Sequence, residues 1–156
     1  MIRDNLKTML ERHEGRKNVP YNDTDTPPNL TIGVGWNMHA NPLPDDMAMY
    51  LMHHGEITDE MVDKLLEISV AKAEEVCTRV YPGFDGFSLN RQDALIDMAF
   101  NMGEGNAKHG LKSLVNTNTD INAGRWASAA ARLAKSAWAA EVKTRAQDVI
   151  KLIEEG

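Results

Sequence analysis

HEGRKNVPYNDTDTPPNLTIGVGW, residues His13 to Trp36, joins the end of one helix to a glycine-rich, β-prone run. Ahead of it, Ile2, Leu6, Met9 and Leu10 recur at the spacing of an apolar helix face, and Gly15 is the residue type that ends a helix in a left-handed turn. Glu14 therefore falls in the last helical turn, where Lys or Arg normally sits. A carboxylate there faces the negative end of the helix dipole, which favours its protonated form. Beyond it, Tyr21, Asn22 and Asp23 read as a polar turn with Pro27 and Pro28, and Leu30 to Trp36 reads as strand with Gly33 and Gly35 inside it. An acid that tends to keep its proton is thus placed near a second carboxylate.

The whole chain has 156 residues, enough for one domain or two small interlocked lobes with a sizeable core and no need of disulfides. Cys77 is the only cysteine, so no intramolecular bridge forms, and its place among Ala73, Val76 and Val80 on an apolar helix face makes it core packing. Charges within the first seven residues and the absence of any apolar run near the ~20 residues of a membrane span give no sign of export or anchoring. Net charge is −6, and the acidity is uneven: residues 1–89 hold 8 Lys and Arg against 15 Asp and Glu, while residues 90–156 hold 9 against 8. Such a surface argues against nucleic acid, whose phosphates demand a basic footprint, and against unassisted docking on anionic membranes.

Asn37 to Gly55, with two prolines and mixed polarity, reads as loop with short helical turns. Thr58, Asp59 and Glu60 form a cap and an acidic first turn. They open a helix whose stripe is Val62, Leu65, Leu66, Ser69, Ala73, Val76, Cys77 and Val80, stopped by Tyr81-Pro82-Gly83. A rise of about 1.5 Å per residue gives it a length of roughly 33 Å, enough to connect two lobes. Ser88 or Asn90 caps the next helix, which carries Ala94, Leu95, Met98, Ala99 and Met102 and ends at Gly103 and Gly105. Leu111, Leu114 and Val115 suggest a short helix. Asn122 precedes an Ala-rich one with Trp126, Ala130 and Leu133, and Trp138, Val142, Ala146, Val149, Ile150 and Ile153 complete the helical set. There is no repeat or low-complexity segment. The expected class is α+β, predominantly helical and two-lobed: a small β-containing lobe over 14–57, a connecting helix over 58–80, and a helical lobe of 81–156 to which 1–13 returns.

Eight residues separate Glu14 from Asp23, and Thr31 follows in TIGVGW. A carboxylic acid to protonate a leaving oxygen and a carboxylate opposite it are what glycoside hydrolysis needs. Taken singly, a helix-end Glu paired with Arg16 or Lys17 reads equally well as structure, and a turn-forming Asp and an ordinary strand Thr read better as structure. At this point the sequence resembles the T-even-type phage lysozymes, endolysins of glycoside hydrolase family 24 with a Glu, Asp, Thr triad and a hairpin reading TIGxG. FNMGEG at 100–105 resembles that family's Phe-polar-Met-Gly-Glu turn, RWASAAARLAKSAW at 125–138 its RW…AA…LAKSxW segment, and Arg145-Ala146 follows as in those relatives. Three blocks in family order make a specific signal.

The resemblance implies a lysozyme-like fold and a cofactor-free muramidase. Glu14 would be the general acid, Asp23 the carboxylate that holds and deprotonates the attacking water, and Thr31 its hydrogen-bond partner, with inversion at the anomeric carbon. It further implies a substrate contact at Asn101 and pairing of the acid with Arg145, which would oppose the dipole, and Tyr21, Gly33, Trp36 and Arg145 are further candidate substrate-binding residues. Two departures bear on the site. TDTPPNL holds two extra residues, so that seven separate Asp23 from Thr31 where relatives often have five, and Asp25 and Thr26 become rival candidates. Asp23 keeps the gap from Glu14, and Thr31 keeps its place in TIGVG. Trp36 stands where relatives commonly carry His, either to stack on a sugar or to pack. Gly33 and Gly35 allow close backbone approach to a ligand, and a lone GxG is no nucleotide signal. His39, His53 and His54 lack metal-ligand spacing with carboxylates and read as solvated loop, so no metal is expected.

The implied function is cleavage of the β-1,4 bond between N-acetylmuramic acid and N-acetylglucosamine in bacterial peptidoglycan. The protein is expected to act as a monomer. It would wait in the host bacterial cytoplasm until released to the wall through a membrane hole made by a holin. Acidity sits awkwardly with an anionic wall, so binding should depend on the cleft rather than on steering. Ending at Gly156, the chain is expected to lack the last short helix of some relatives. The rival readings are a lytic transglycosylase, which needs one acid and leaves anhydro ends, and a non-catalytic wall-binding module.

Overall fold

The computed structural model describes Met1–Gly156 throughout. It contains eight α-helices and one three-stranded antiparallel sheet, the predominantly helical α+β class expected. Two compact units divide the chain at Ser69 and Val70, inside its longest helix.

In the first unit, α1 (Asp4–Glu14) buries Leu6, Met9 and Leu10 and ends at Gly15, whose φ of 77° is open to glycine. The sheet has the order β1 (Lys17–Asn22), β2 (Leu30–Gly33), β3 (Trp36–Asn37). Two expectations change here. The segment read as a polar turn from Tyr21 is strand through Asn22, with Tyr21 opposite Thr31 and Asn22 opposite Leu30. Pro20 masks this strand in the sequence, yet β1 is an edge, where a missing N–H is tolerated, and the register shifts between Lys17 and Tyr21. The β-prone run Leu30–Trp36 is not one strand, because Gly33 and Gly35 both take positive φ and turn the chain between β2 and β3.

The region read as loop from Asn37 contains α2 (Asp45–His54). Its apolar pattern is poor, with only Met47 buried and Met49 and Met52 well exposed. End effects mark it instead. Asp45 and Asp46 lie in the first turn, His53 and His54 in the last, and Gly55 closes it in the left-handed conformation. Helix α3 (Asp59–Val80) is as the sequence predicts, with the Thr58 hydroxyl accepting from the Met61 N–H at 3.1 Å and Val62, Leu65, Leu66, Val70, Ala73 and Cys77 buried. Arg16 ties the start of β1 to α3. Its guanidinium donates to Asp63 at 2.7 Å, to Glu11 at 3.2 Å and to the Asp59 carbonyl at 3.1 Å.

In the second unit α4 (Leu89–Met102) is capped by Ser88, which accepts from the Arg91 N–H, and buries every residue from Gln92 to Ala99. The short helix expected at Leu111 is a 3-10 turn, Leu111–Ser113, followed by α5 (Val115–Asn122). Helix α6 (Trp126–Ala134) buries Ala129, Ala130 and Leu133. The last apolar stripe is two helices, α7 (Ala137–Val142) and α8 (Thr144–Glu155), broken at Lys143, whose φ of 52° no helix accommodates. Arg91 lies over the Trp126 ring at 4.3 Å and donates to the Ile153 carbonyl at 2.8 Å, joining α4, α6 and the end of α8.

Candidate active site

Glu14 is the last residue of α1, and its carboxylate lies against the turn between β2 and β3. A Cβ built on Gly35 would stand 2.9 Å from Glu14 Oε2 and 3.1 Å from its Cδ. Gly35 itself has a φ of 65°. A side chain there would be strained by that φ and would have to push the Glu14 carboxylate aside, so this glycine leaves room for the acid beside the sheet. Arg16, one of the two ion-pair partners the sequence offers Glu14, is held by Asp63 and Glu11, and Lys17 lies 4.5 Å over the Tyr21 ring.

Asp23 follows β1 directly and is fixed by its own loop. Its Oδ1 accepts from the Asn29 N–H at 2.8 Å and the Asp25 N–H at 3.1 Å, and its Oδ2 accepts from Asn29 Nδ2 at 3.1 Å. Those donors, the Asn29 N–H foremost, hold the Asp23 carboxyl below its ordinary range and keep it ionised. Thr31 is buried on β2 and donates its hydroxyl proton to the Asn29 carbonyl at 3.0 Å, the same oxygen that accepts the Asp23 N–H at 3.0 Å. Asp25, the rival candidate, is exposed and accepts from Asn29 Nδ2 at 3.1 Å, and Thr26, which precedes a cis peptide bond to Pro27, is exposed as well.

Tyr21 lies in the field of both carboxylates. Partial burial pushes its phenol above the ordinary value, and the charges of Glu14 and then Asp23 push it the same way. Gly33 is buried, and its close approach is to Val62 and Leu65 of α3. Trp36 is 6% exposed and donates its indole N–H to the Asn41 carbonyl at 2.8 Å. In the second unit, Asn101 at the end of α4 accepts from the Trp138 indole N–H at 2.9 Å. Arg145 is buried on α8, with its Nε donating to Asp97 Oδ1 at 2.8 Å. His53 and His54 belong to the last turn of α2, and His54 stacks on Tyr50 at 3.9 Å.

The residue that sequence reading does not single out is Asn29. Its only sequence signal is an amide two places before Thr31 in a stretch dense with Asp and Pro.

A small antiparallel sheet in a predominantly helical chain, with a helix-end acid set against the sheet's turn, fits a lysozyme-like α+β fold. Residues 11–151 match the model of the phage lysozyme family. A protein of Dictyostelium discoideum named "Probable T4-type lysozyme 2" is 29% identical over 171 aligned positions, which cover 97% of this chain and 94% of that protein. The chain belongs to the phage lysozyme family, and as a lysozyme (muramidase) it is a peptidoglycan hydrolase.

Proposed function

We propose that the chain cleaves the β-1,4 bond between N-acetylmuramic acid and N-acetylglucosamine, with Glu14 as general acid, Asp23 as the base that activates water and Thr31 as that water's second contact. The observation that carries the reading is the unequal treatment of two carboxylates near one phenol. Asp23 is held ionised by donors from its own loop, while Glu14 sits at a helix C-terminus against the bare α-carbon of Gly35. As the C1–O4 bond breaks, Glu14 gives its proton to O4. Water attacks C1 from the opposite face and loses a proton to Asp23, so the anomeric centre inverts.

Tyr21 and Asn101 are proposed as substrate contacts. The biological role that fits this chemistry is an endolysin, acting as a monomer from the bacterial interior once a holin opens the membrane. No helix is long and apolar enough to cross a membrane, which suits dependence on another protein for passage.

Turnover of purified peptidoglycan by wild type, Glu14→Gln and Asp23→Asn tests the assignment, with the released ends identified by mass spectrometry. Hydrated, reducing muramic ends and at least a ~100-fold loss in each variant are expected, the lower bound for removing a general acid or base. Anhydro ends, or an Asp23→Asn variant of wild-type rate, would make the chain a transglycosylase. Folded wild type with no turnover would leave binding alone.

A further inference from the structure

We propose that Asn29 is a positioning residue for the hydrolytic water: it fixes which oxygen of Asp23 receives the proton and makes the Thr31 hydroxyl an acceptor. The inference rests on the reading of Asp23 and Thr31 just given. Asn29 turns its backbone N–H, its backbone carbonyl and its side-chain Nδ2 toward the pair. Its N–H donates to Asp23 Oδ1, its Nδ2 donates to Asp23 Oδ2 and to Asp25 Oδ2, and its carbonyl accepts from the Asp23 N–H and from Thr31 Oγ.

Donor counting then decides the polarity. A carboxylate oxygen has about two lone-pair sites. Asp23 Oδ1 fills both with the N–H groups of Asn29 and Asp25, whereas Oδ2 accepts one amide and retains a site. A carbonyl only accepts, so the Thr31 hydroxyl has committed its one proton to Asn29 and offers lone pairs alone. A water held between Asp23 and Thr31 therefore donates both protons, one to Asp23 Oδ2 and one to Thr31 Oγ, which leaves its own lone pair for the anomeric carbon. In the step that follows, the bond from water oxygen to C1 forms and the C1–O4 bond breaks with its electron pair on O4. The Glu14 proton goes to O4 and one water proton to Asp23 Oδ2.

Asn29 also sets one amide between two carboxylates, its Nδ2 donating to both Asp23 and Asp25. The other titratable or charged groups around Asp23 are Tyr21 of β1, Lys17 above the Tyr21 ring, and Glu14 of α1, whose charge reaches the same phenol. None of these changes in the test.

The test measures kcat, KM and the pH profile of peptidoglycan turnover for full-length wild type, Asn29→Ala, Asn29→Asp and Asn29→Asp/Asp25→Asn, with Asp23→Asn alongside. Asn29→Ala should lower kcat about tenfold at nearly constant KM, within the ~100-fold that an ångström of misplacement costs, and move the acid limb to higher pH. Asn29→Asp, nearly isosteric but a third carboxylate, should be worse than Ala and move the limb further, and Asp25→Asn should move it back. A packing role predicts the reverse order, the isostere milder than the truncation, and an unmoved limb, and either result overturns the proposal. Should Asn29→Asp fail to fold, Asn29→Ser takes its place, expected nearer wild type than Ala because its hydroxyl donates. Wild-type turnover by Asp23→Asn would refute the reading of Asp23 itself. An inactive Asp23→Asn beside unperturbed Asn29 variants would refute only the role of Asn29.

Discussion

The loop from Asp23 to Thr31 in the first unit and the junction of α5 with α6 in the second each fix an aspartate with several donors, and the donors differ in kind. Asp23 is held by neutral amides of its own loop. Asp120 accepts from the guanidinium groups of Arg125 at 2.9 Å and Arg132 at 2.7 Å and from the Ser128 hydroxyl at 2.6 Å. Amides orient a carboxylate and leave its charge available to a third party, whereas guanidinium groups neutralise it. Asp97, fully buried against Arg145, repeats the second pattern. A depressed pKa does not by itself separate the two uses, since both Asp23 and Asp120 are held low. The chemistry of the donors does.

The largest effect is expected where the charge is most fully neutralised. Arg145→Ala leaves Asp97 buried without its guanidinium and should cost about 3–5 kcal/mol, read as a lower urea midpoint. Replacing both, as Asp97→Leu with Arg145→Met, should restore much of that loss. A single-mutant cost below ~1 kcal/mol would show that the pair does not join α4 to α8.

Gly35→Ala probes the opposite arrangement, a carboxylate set against bare backbone. The left-handed φ alone costs about 1–2 kcal/mol, and the new methyl must displace Glu14, so turnover should fall by as much as ~100-fold. Gly55→Ala is its control. Gly55 is also left-handed, at φ 74°, with nothing within 4 Å of the added carbon, so about 1 kcal/mol should be lost and turnover kept. Equal activity in the two variants would remove Gly35 from the site.

The subtlest effect separates Asp120 by pH. The Ser128 hydroxyl, Arg132 and Arg125 hold its carboxyl at about 2, below the ordinary 3.8. Its contribution to stability is therefore complete above 3.8 and is lost as pH falls toward 2. Asp120→Asn should melt below wild type at neutral pH, and the gap should close over that interval. A gap independent of pH would mean that shape rather than charge matters at this junction.

What the sequence made legible follows from where each signal resides. Glu14 and Gly15 announce themselves because a helix end has few suitable residues and an acid is not one of them. Helix α3 is plain because its apolar stripe is continuous and its Thr58 cap is local. Helix α2 is obscured because its marks are charges at its ends while Met49 and Met52 face solvent. Strand β1 is hidden by Pro20, harmless only because β1 is an edge, a property of the sheet that its own residues do not carry. In the candidate site, the proposed Glu14, Asp23 and Thr31 can be named from residue type and family spacing. Asn29 cannot, because the part proposed for it lies in five hydrogen bonds that close only when the lengthened TDTPPN loop folds back on Asp23. The turn at Gly35 was visible as flexibility, and its use as room for the Glu14 carboxylate was not.

Cys77 has one more consequence. Its thiol is fully enclosed, and burial pushes it up to about 12. Alkylating reagents attack the thiolate, so the folded chain should resist them without any added reductant. The rate at which such a reagent labels Cys77 then measures how often the unit from Val70 to Gly156 opens, a built-in clock for the breathing of this half of the molecule that needs no engineered probe.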